Sequence, residues 1–523
     1  MLRSTSWHKA LIPFCIACLG LALGGCNSND DDGDGDSSTG GAQSSLRGQL
    51  VQSPPTRVAS FSAADLIAAL GANAASIRLA QLTGTPLCRV DVHQLQYHTV
   101  GARGEDTTAS GALMIPAGTA SECRGERPML LYAHGTTVER NFNLTTVSTD
   151  DNGESLALLT VFAAHGYIVV APNYAGYDTS TLPYHPYLNA EQSANDMTDA
   201  LTAARSALPT SFAPDTRASA KLFITGYSQG GHVAMATHRA LQAQNMTVTA
   251  SAPSSGPYAL AAFADAIFYG NVNLGAPVLA TLLVNSYQQS YGNVYSATTD
   301  LFEPRYASGI DTLLPSDVSR SELVNQGRLP ATQLFSEVPP DPAFAAITPP
   351  TTPPERAPLF ALGFGPDHLL TNAYRLSYLA DAQANPDGAF PAVTDGLPAA
   401  SPQHPLRMDL KRNDLRNWTP TAPMLLCGGN ADPTVFFMNT QLMQSYWSTT
   451  GAPVTVLDVD SSAANDDPFG AVKIAFSTAK TIVAADAVAS GATDGGTNEV
   501  LSRYHGLVSP FCFIAARSFF DGF

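Results

Sequence analysis

Short apolar runs alternate with amphipathic stretches from about Arg89 to Ala252, and this alternation predicts a parallel βαβ sheet. The fully apolar run Tyr167–Ala171 is typical of a strand that is buried on both faces. Between such runs, apolar residues recur at helical spacing. The predicted strands are Gly111–Pro116, Pro128–Ala133, Tyr167–Ala171, Lys221–Thr225 and Val248–Ala252, and the predicted helices are Ser155–His165, Asn189–Leu208 and Gly230–Gln244.

The alternation stops between about Pro257 and Trp418. Prolines cluster in residues 339–358, and proline fixes φ and lacks the backbone donor, so this stretch cannot be a regular helix or a central strand. Strand-like runs resume at Pro423–Cys427 and Val454–Asp458. The pattern therefore predicts one α/β sheet with a large cap inserted before its last strands, and long irregular insertions of this kind commonly form lids or binding loops.

The N-terminus has the features of an export signal. Arg3 and Lys9 precede an apolar stretch that is shorter than the ~20 residues a membrane-spanning helix needs. The stretch ends in Leu23–Cys26, which resembles a bacterial lipoprotein signal in which Cys26 carries the lipid. An ordinary signal peptide that happens to contain cysteine is the alternative. The lipoprotein interpretation predicts an exported protein of the bacterial cell envelope, anchored by lipid to the outer membrane or cell surface.

These patterns divide the chain into five predicted segments. A polar, Gly-rich tether follows the signal, because its composition cannot bury a core. The segments are a signal peptide at 1–25, a flexible tether at 26–50, a first core part at 51–256, a cap at 257–418 and a second core part at 419–523.

Composition and charge restrict the partners. The 523 residues are 45% hydrophobic and carry a formal net charge of -17, which indicates a globular, acidic protein. An acidic surface repels phosphate backbones, so nucleic acid is excluded as a partner. It also argues against tight adhesion to anionic lipid head groups.

Four cysteines besides Cys26 lie beyond the predicted signal. An even number in an exported chain predicts two disulfides, and four cysteines allow three pairings. Cys88–Cys123 and Cys427–Cys512 are favoured because each pair flanks elements predicted to be neighbours, while free buried thiols remain the alternative. No two of these cysteines have the spacing of zinc ligands, so no metal site is expected.

The segment Gly226–Gly231 contains the string G-x-S-x-G, with Ser228 at its centre. This string forms a strained strand-to-helix turn that exposes a nucleophilic serine above a sheet. The flanking glycines are needed where backbone segments cross closely. A predicted strand precedes the string and a predicted helix follows it, so we expect Ser228 to be a nucleophile.

A serine nucleophile needs a histidine base and an acid that orients it, in the chain order Ser, acid, His. Asp432 follows a predicted strand end, and His505 is the one histidine after it. His505 is predicted to lie in a loop before a helix that begins at about Pro510. A turn or helix-capping role for Asp432 remains open, and the competing acids are Asp458, Asp460, Asp466 and Asp467.

The developing oxyanion needs two fixed donors. The first expected donor is the backbone N–H of Gln229, directly after the nucleophile. The second is expected from the loop after the strand Pro128–Ala133, with Thr136 as the first choice and Gly135 and Thr137 behind it. His134 is expected to shape this loop rather than to act as a base.

The strings YAHGTT, GYIVVAPNYAGYD, GYSQGGHVA and GGNADPTV, in this order, resemble the α/β-hydrolase superfamily and, within it, the secretory-lipase group. The resemblance covers roughly residues 88–257 and 423–519, but not the cap. It implies an eight-stranded, mostly parallel central sheet flanked by helices, a Ser228–His505–Asp432 triad, and ester hydrolysis without a cofactor. Asn173 stands where related chains often carry Asp, and the stretch from Asp458 to His505 exceeds the usual spacing.

The predicted function is carboxylic ester hydrolysis through an acyl-enzyme. The predicted substrate is an ester of a small molecule, a lipid or a polyester. The predicted contact with the membrane is through the lipid anchor alone. A serine peptidase on the same fold, or an inactive surface-tethered binding protein, are the alternatives.

Overall fold

The computed structural model describes residues 46–70, 82–147, 153–208 and 215–523. A nine-stranded sheet forms the centre of this part of the chain. The strands are β1 (Thr56–Phe61), β2 (Arg89–Val100), β3 (Asp106–Ala117), β4 (Gly125–Ala133), β5 (Ile168–Pro172), β6 (Thr216–Tyr227), β7 (Ala250–Ser254), β8 (Met424–Gly428) and β9 (Val454–Asp458). Their order is β1-β2-β3-β5-β4-β6-β7-β8-β9. The pairs from β5 to β9 are parallel, and β1, β2 and β3 join antiparallel at one edge.

The expected count of eight strands is wrong by one. β1 is a largely exposed edge strand that pairs with β2, so its residues need no apolar run and the sequence pattern does not single it out. The predicted core strands are found, and β9 has the predicted bounds. β6 begins five residues earlier than predicted, because its polar start pairs with the beginning of β4.

Helices cover both faces of the sheet. Those of the core are α1 (Ala63–Leu70), α2 (Gly153–Ala157), α3 (Ala190–Ala207) and α4 (Gln229–Ala243), with a π-helical turn at Leu158–Phe162 continuing α2. Those between β7 and β8 are α5 (Leu260–Phe268), α6 (Ala276–Tyr291), α7 (Thr298–Leu301), α8 (Pro304–Ala307), α9 (Arg320–Asn325), α10 (Ala357–Ala361), α11 (Asn372–Ala384) and α12 (Pro405–Asn413). Those near the C-terminus are α13 (Met438–Trp447), α14 (Gly470–Ala489) and α15 (Thr497–Phe520).

Helices α5 to α12 form the cap, with an apolar core of their own. Two acids from different helices meet one buried arginine there: Arg407 lies 2.8 Å from Asp265 and 2.7 Å from Asp381. Arg407 and its partners are almost fully buried, so removing one partner would leave a buried charge uncompensated. This network fixes α12 against α5 and α11.

The last described residues of the predicted tether contact the rest of the fold. Residues 46–50, the end of the predicted tether, pack on the folded part: Arg47 lies 3.0 Å from Asp199, and Leu50 forms a β-bridge with Tyr97. The predicted signal peptide at 1–25, Cys26 and the rest of the tether lie outside the described residues. No helix of the described ranges has the length and apolar character needed to span a bilayer.

Both predicted disulfides are present, Cys88–Cys123 and Cys427–Cys512. The second joins the end of β8 to the middle of α15. It therefore links the strand that leads to Asp432 with the helix that carries His505.

Candidate active site

Ser228 lies in the sharp turn between β6 and α4, with φ of 60° and ψ of -120°. Positive φ is strained for a residue with a side chain, and such strain is concentrated at functional sites. A Cβ on Gly226 would lie 2.3 Å from the carbonyl oxygen of Gly230, and one on Gly230 would lie 2.0 Å from that of Ala133. The turn can form only because both positions are glycine, as the sequence predicted.

Asp432 and His505 are joined directly. Nδ1 of His505 lies 2.7 Å from Oδ2 of Asp432, whose other oxygen accepts from the N–H groups of Thr434, at 2.9 Å, and Val435, at 3.1 Å. Asp432 is 1% exposed. With Nδ1 donating to Oδ2 of Asp432, Nε2 is the ring nitrogen of His505 that is left to act as an acceptor.

Nε2 of His505 is buried and has no hydrogen-bond partner among the described residues. The His505 ring lies 4.9 Å from the ring of Tyr227, the residue before Ser228, and the Tyr227 hydroxyl donates to the His505 carbonyl oxygen. His505 is thus fixed next to the Ser228 turn.

The predicted loop around His505 is wrong, because His505 lies inside α15, which continues through Pro510. Tyr504, Val508 and Phe511 of this helix are buried in the core. Tertiary packing of this face outweighs the poor helix propensity of Gly506 and Pro510.

None of the competing acids contacts His505. Asp458 accepts from the N–H of Asn430 at 3.1 Å and from its side-chain amide at 2.7 Å. Asp460 accepts from the Tyr504 hydroxyl, and Asp467 pairs with Lys473. Asp432 is the acid that the structure brings to His505.

Of the predicted oxyanion residues, Gln229 and Gly135 lie at the Ser228 turn. Gln229 is the first residue of α4, and the N–H groups of a first helical turn have no partner within the helix. A Cβ on Gly135 would lie 3.9 Å from Cβ of Ser228, yet the Gly135 N–H donates to the Glu154 carboxylate at 3.2 Å. The Thr136 hydroxyl lies 2.9 Å from that of Tyr187. The Gly135 N–H is therefore already bonded to Glu154 and is not free to donate to a substrate.

His134 is fully buried, and its two ring nitrogens lie 2.7 Å from the carbonyl oxygen of Gly135 and 3.1 Å from that of Asn173. Burial lowers the pKa of His134 to about 4, so the ring is neutral. It stacks on Tyr174 at 4.0 Å between ring centres. The side-chain amide of Asn173 donates to the Ser110 hydroxyl. The Asp that related chains often carry at this position could not donate this hydrogen bond.

Glu154 and His185 are site residues that the sequence reasoning missed. Glu154 on α2 accepts from the Tyr132 hydroxyl at 2.6 Å as well as from Gly135, and burial raises the pKa of its carboxyl group. His185 lies 2.7 Å from the side-chain amide of Gln229. Neither residue belongs to a local motif, since each acts through a partner far away in the chain.

An apolar pocket with a cavity volume of about 100 Å³ leads from Ser228 and Gln229 into the cap. Aliphatic and aromatic side chains of the cap helices line most of it, with Asn273 and Thr434 among the few polar ones. The cap residues in its wall include Leu260, Phe263, Ala280, Leu283, Leu334 and Leu406.

Known proteins share this architecture. A family model described as Chlorophyllase matches residues 89–254, whereas a comparison with curated proteins finds no match. The rice cell wall degrading esterase LipA from Xanthomonas oryzae is 29% identical, with a TM-score of 0.60 over 79% of this chain and 91% of that chain. Its ligand-bound form is 26% identical, with a TM-score of 0.63 over 90% of this chain and 97% of that chain.

A structure from Legionella pneumophila, whose description names a hydrolase, shares the fold at 19% identity, with a TM-score of 0.62 over 91% of this chain and 98% of that chain. The nine-stranded, mostly parallel sheet with flanking helices agrees with these matches. The chain has the α/β-hydrolase fold, and the matches support a hydrolase of the α/β-hydrolase superfamily.

Proposed function

We propose that the protein is a serine esterase that hydrolyses carboxylic esters with Ser228 as nucleophile, His505 as base and Asp432 as the orienting acid. The observation that carries the proposal is the 2.7 Å contact between His505 and Asp432 beside the strained Ser228 turn. The similarity to an esterase at 29% identity supports the ester bond as the target.

The reaction begins when Ser228 Oγ attacks the ester carbonyl carbon and its proton passes to Nε2 of His505. Asp432 stabilises the imidazolium through Nδ1. The tetrahedral intermediate collapses, the C–O bond to the alcohol breaks, and His505 gives its proton to the leaving alkoxide. A water molecule, deprotonated by His505, then attacks the carbonyl carbon of the acyl-enzyme. The second tetrahedral intermediate collapses, the bond to Ser228 Oγ breaks, and His505 returns the proton to Ser228 as the carboxylic acid leaves.

The oxyanion of both tetrahedral intermediates accepts from the backbone N–H groups of Gln229 and Thr136. A single such donor is worth roughly 10²–10³ in rate in other enzymes. Glu154 holds the neighbouring Gly135 N–H, so it fixes the loop that carries Thr136.

The acyl group of the substrate occupies the apolar pocket beneath the cap. Burying a methylene group contributes about 0.8 kcal/mol, so a wall of leucine and phenylalanine side chains favours alkyl chains over charged acyl groups. The same wall disfavours a peptidase, because among its residues no charged side chain is available to bind a peptide terminus.

The test is hydrolysis of p-nitrophenyl esters by Ser228→Ala, with Ser206→Ala as a matched control on α3. We expect Ser228→Ala to lose at least about 10³-fold in kcat and to resist labelling by a fluorophosphonate, while Ser206→Ala behaves as the wild type. Full esterase activity in Ser228→Ala would end the proposal. Cleavage of peptides in preference to esters would favour the peptidase alternative.

We also propose that Cys26 anchors the exported protein to the membrane through lipid, based on the Leu23–Cys26 string. In the native bacterial host, Cys26→Ser should move the protein from the detergent phase to the aqueous phase of a Triton X-114 partition. An unchanged partition would contradict the anchor without affecting the catalytic proposal.

A further inference from the structure

A chain of polar contacts runs from α14 to the loop that carries Asp432. The Tyr504 hydroxyl donates to Oδ2 of Asp460 at 2.7 Å and accepts from the N–H of Ala431 at 3.2 Å. Lys480 pairs with the other oxygen of Asp460. Building on the proposed function, we propose that Tyr504 is a positioning residue that holds the acid loop, residues 428–432, so that Asp432 meets His505.

The acid loop passes directly over the Tyr504 hydroxyl. A Cβ on Gly429 would lie 2.6 Å from this oxygen, so the close approach requires glycine at that position. Within the loop, the Asp432 N–H donates to the Gly429 carbonyl at 3.1 Å. Tyr504 therefore contacts the turn whose last residue is the orienting acid.

Tyr504 precedes His505 on α15 and is 3% exposed. One helix thus carries both the base and the hydroxyl that fixes the acid loop. If this helix moves, Tyr504 and His505 move together. Because Tyr504 contacts the acid loop, the loop follows, and the contact between His505 and Asp432 is kept.

Two further contacts hold the same loop. On the sheet side, Asp458 accepts both the N–H and the side-chain amide of Asn430. On the cap side, Arg356 donates to the carbonyl oxygens of Asn430, at 2.9 Å, and Asp432, at 3.4 Å. The carboxylates of Asp458 and Asp460, which compete with Asp432 in the sequence, thus support the acid loop instead of orienting His505.

The same network gives a role to the long stretch between Asp458 and His505. Helix α14 lies in this stretch and supplies Lys480, whose ammonium group pairs with Asp460 and lies 5.9 Å from the centre of the Tyr504 ring. Lys480 thus places a positive charge beside the carboxylate that accepts from the Tyr504 hydroxyl.

The decisive comparison is Tyr504→Phe against Tyr167→Phe. The Tyr167 hydroxyl donates to Asp521 at 2.6 Å, a bond of the same type that holds the other end of α15 far from the acid loop. We expect Tyr504→Phe to lower kcat about tenfold with KM within twofold of the wild type, because small misplacements of catalytic groups slow the chemical step. Tyr167→Phe should leave kcat within twofold.

The proton between His505 and Asp432 gives a readout that a purely structural role would not move. Its low-field ¹H NMR signal should shift or disappear in Tyr504→Phe and stay unchanged in Tyr167→Phe. An equal effect of both variants on kcat, a change confined to KM, or an unchanged kcat in Tyr504→Phe would each overturn the inference.

If Tyr504→Phe does not fold, Asp460→Ala against Asp521→Ala makes the same comparison with the acceptors, judged by the same criteria. Ser228→Ala separates the two proposals. Full activity in Ser228→Ala refutes the proposed function itself, whereas an inactive Ser228→Ala together with a fully active Tyr504→Phe refutes only the role of Tyr504.

Discussion

Gln229 donates its side-chain amide to Nε2 of His185 across 2.7 Å, and both residues are almost fully buried. Nδ1 of His185 lies 3.0 Å from the carbonyl oxygen of Ala175, so this nitrogen carries the proton and Nε2 accepts. Burial lowers the pKa of His185 to about 3, which keeps the ring neutral. The residue that follows Ser228 is therefore held by a histidine with a fixed tautomer.

Replacing His185 tests this bond. His185→Phe keeps the ring stacked between its aromatic neighbours but leaves the Gln229 amide buried without an acceptor, which costs about 1–3 kcal/mol in the free energy of unfolding. In His185→Phe/Gln229→Leu both polar groups are gone, so we expect most of that loss to be recovered. Urea unfolding of the wild type, the two single variants and the double variant measures the coupling free energy between the two side chains. If the losses in the free energy of unfolding of the single variants simply add in the double variant, the bond is contradicted.

Glu154 is expected to control kcat through the oxyanion loop. Glu154→Leu removes the acceptor of both the Gly135 N–H and the Tyr132 hydroxyl, so kcat should fall about 10- to 100-fold with a smaller change in KM. Glu154→Gln retains one acceptor oxygen and should lie between this variant and the wild type. Steady-state kinetics of both variants test this prediction, with the exposed Glu126→Leu as control. A wild-type kcat in Glu154→Leu would exclude a role of Glu154 in positioning the oxyanion loop.

The apolar pocket predicts that its volume sets the preferred acyl length. Ala280 lines the pocket on α6, and Ala280→Phe places a ring in its path. The ratio of kcat/KM for the p-nitrophenyl ester of dodecanoate to that of butanoate should fall at least about tenfold, the equivalent of ~1.4 kcal/mol in transition-state binding. The exposed Ala471→Phe on α14 is the control. An unchanged ratio in Ala280→Phe would mean that the acyl chain binds elsewhere.

Stability should fall as the pH drops below about 6.5. A histidine whose folded-state pKa is lowered binds fewer protons than in the unfolded chain, so its contribution is present above pH 6.5 and is lost as the unfolded state takes up protons. Burial lowers the pKa of seven histidines in this way: to about 3 for His185, to about 4 for His134, His165, His232, His238 and His404, and below its ordinary value for His93.

Five carboxyl groups act in the opposite direction. Burial raises the pKa of Asp196 and of Asp409 to about 6 and also raises the pKa of Glu154, Asp199 and Asp387, so these groups favour the folded state as the pH falls towards 4. Seven histidines against five carboxyl groups leave a net loss, because between pH 7.5 and 5.0 the unfolded chain takes up protons mainly on its histidines, and Tm should be about 5 °C or more lower at pH 5.0 than at pH 7.5. Calorimetry at both pH values, with and without 0.5 M NaCl, tests this; an equal or higher Tm at pH 5.0 would refute it.

The sequence predicts the sheet and the Ser228 turn well because both depend on local patterns. Strands such as β5 are continuous apolar runs, and the Ser228 turn needs glycines at fixed positions. Chain order was sufficient to select His505, since no other histidine follows Asp432. These features are encoded by residues that are close in the chain or by a rule of topology.

The missed features depend on residues that are distant in the chain. Glu154 reaches Gly135 and His185 reaches Gln229 only after the sheet has formed, and no pattern around either residue marks them. The helix at His505 was missed because buried contacts of Tyr504 and Phe511 compensate for Gly506 and Pro510. The cap helices pack on their own apolar core and are linked by Arg407. Their sequence therefore does not continue the alternation of strands and helices that marks the sheet.

The Cys427–Cys512 disulfide closes a covalent ring of the chain, and Asp432 and His505 both lie within that ring. A protease that cuts once in the segment between them would open the ring without separating the acid from the base, because the disulfide still joins the two pieces. Such a nicked enzyme should remain active while it is oxidised and lose its activity when a reductant releases the C-terminal fragment. The bond would thus preserve function after a single cleavage of the chain.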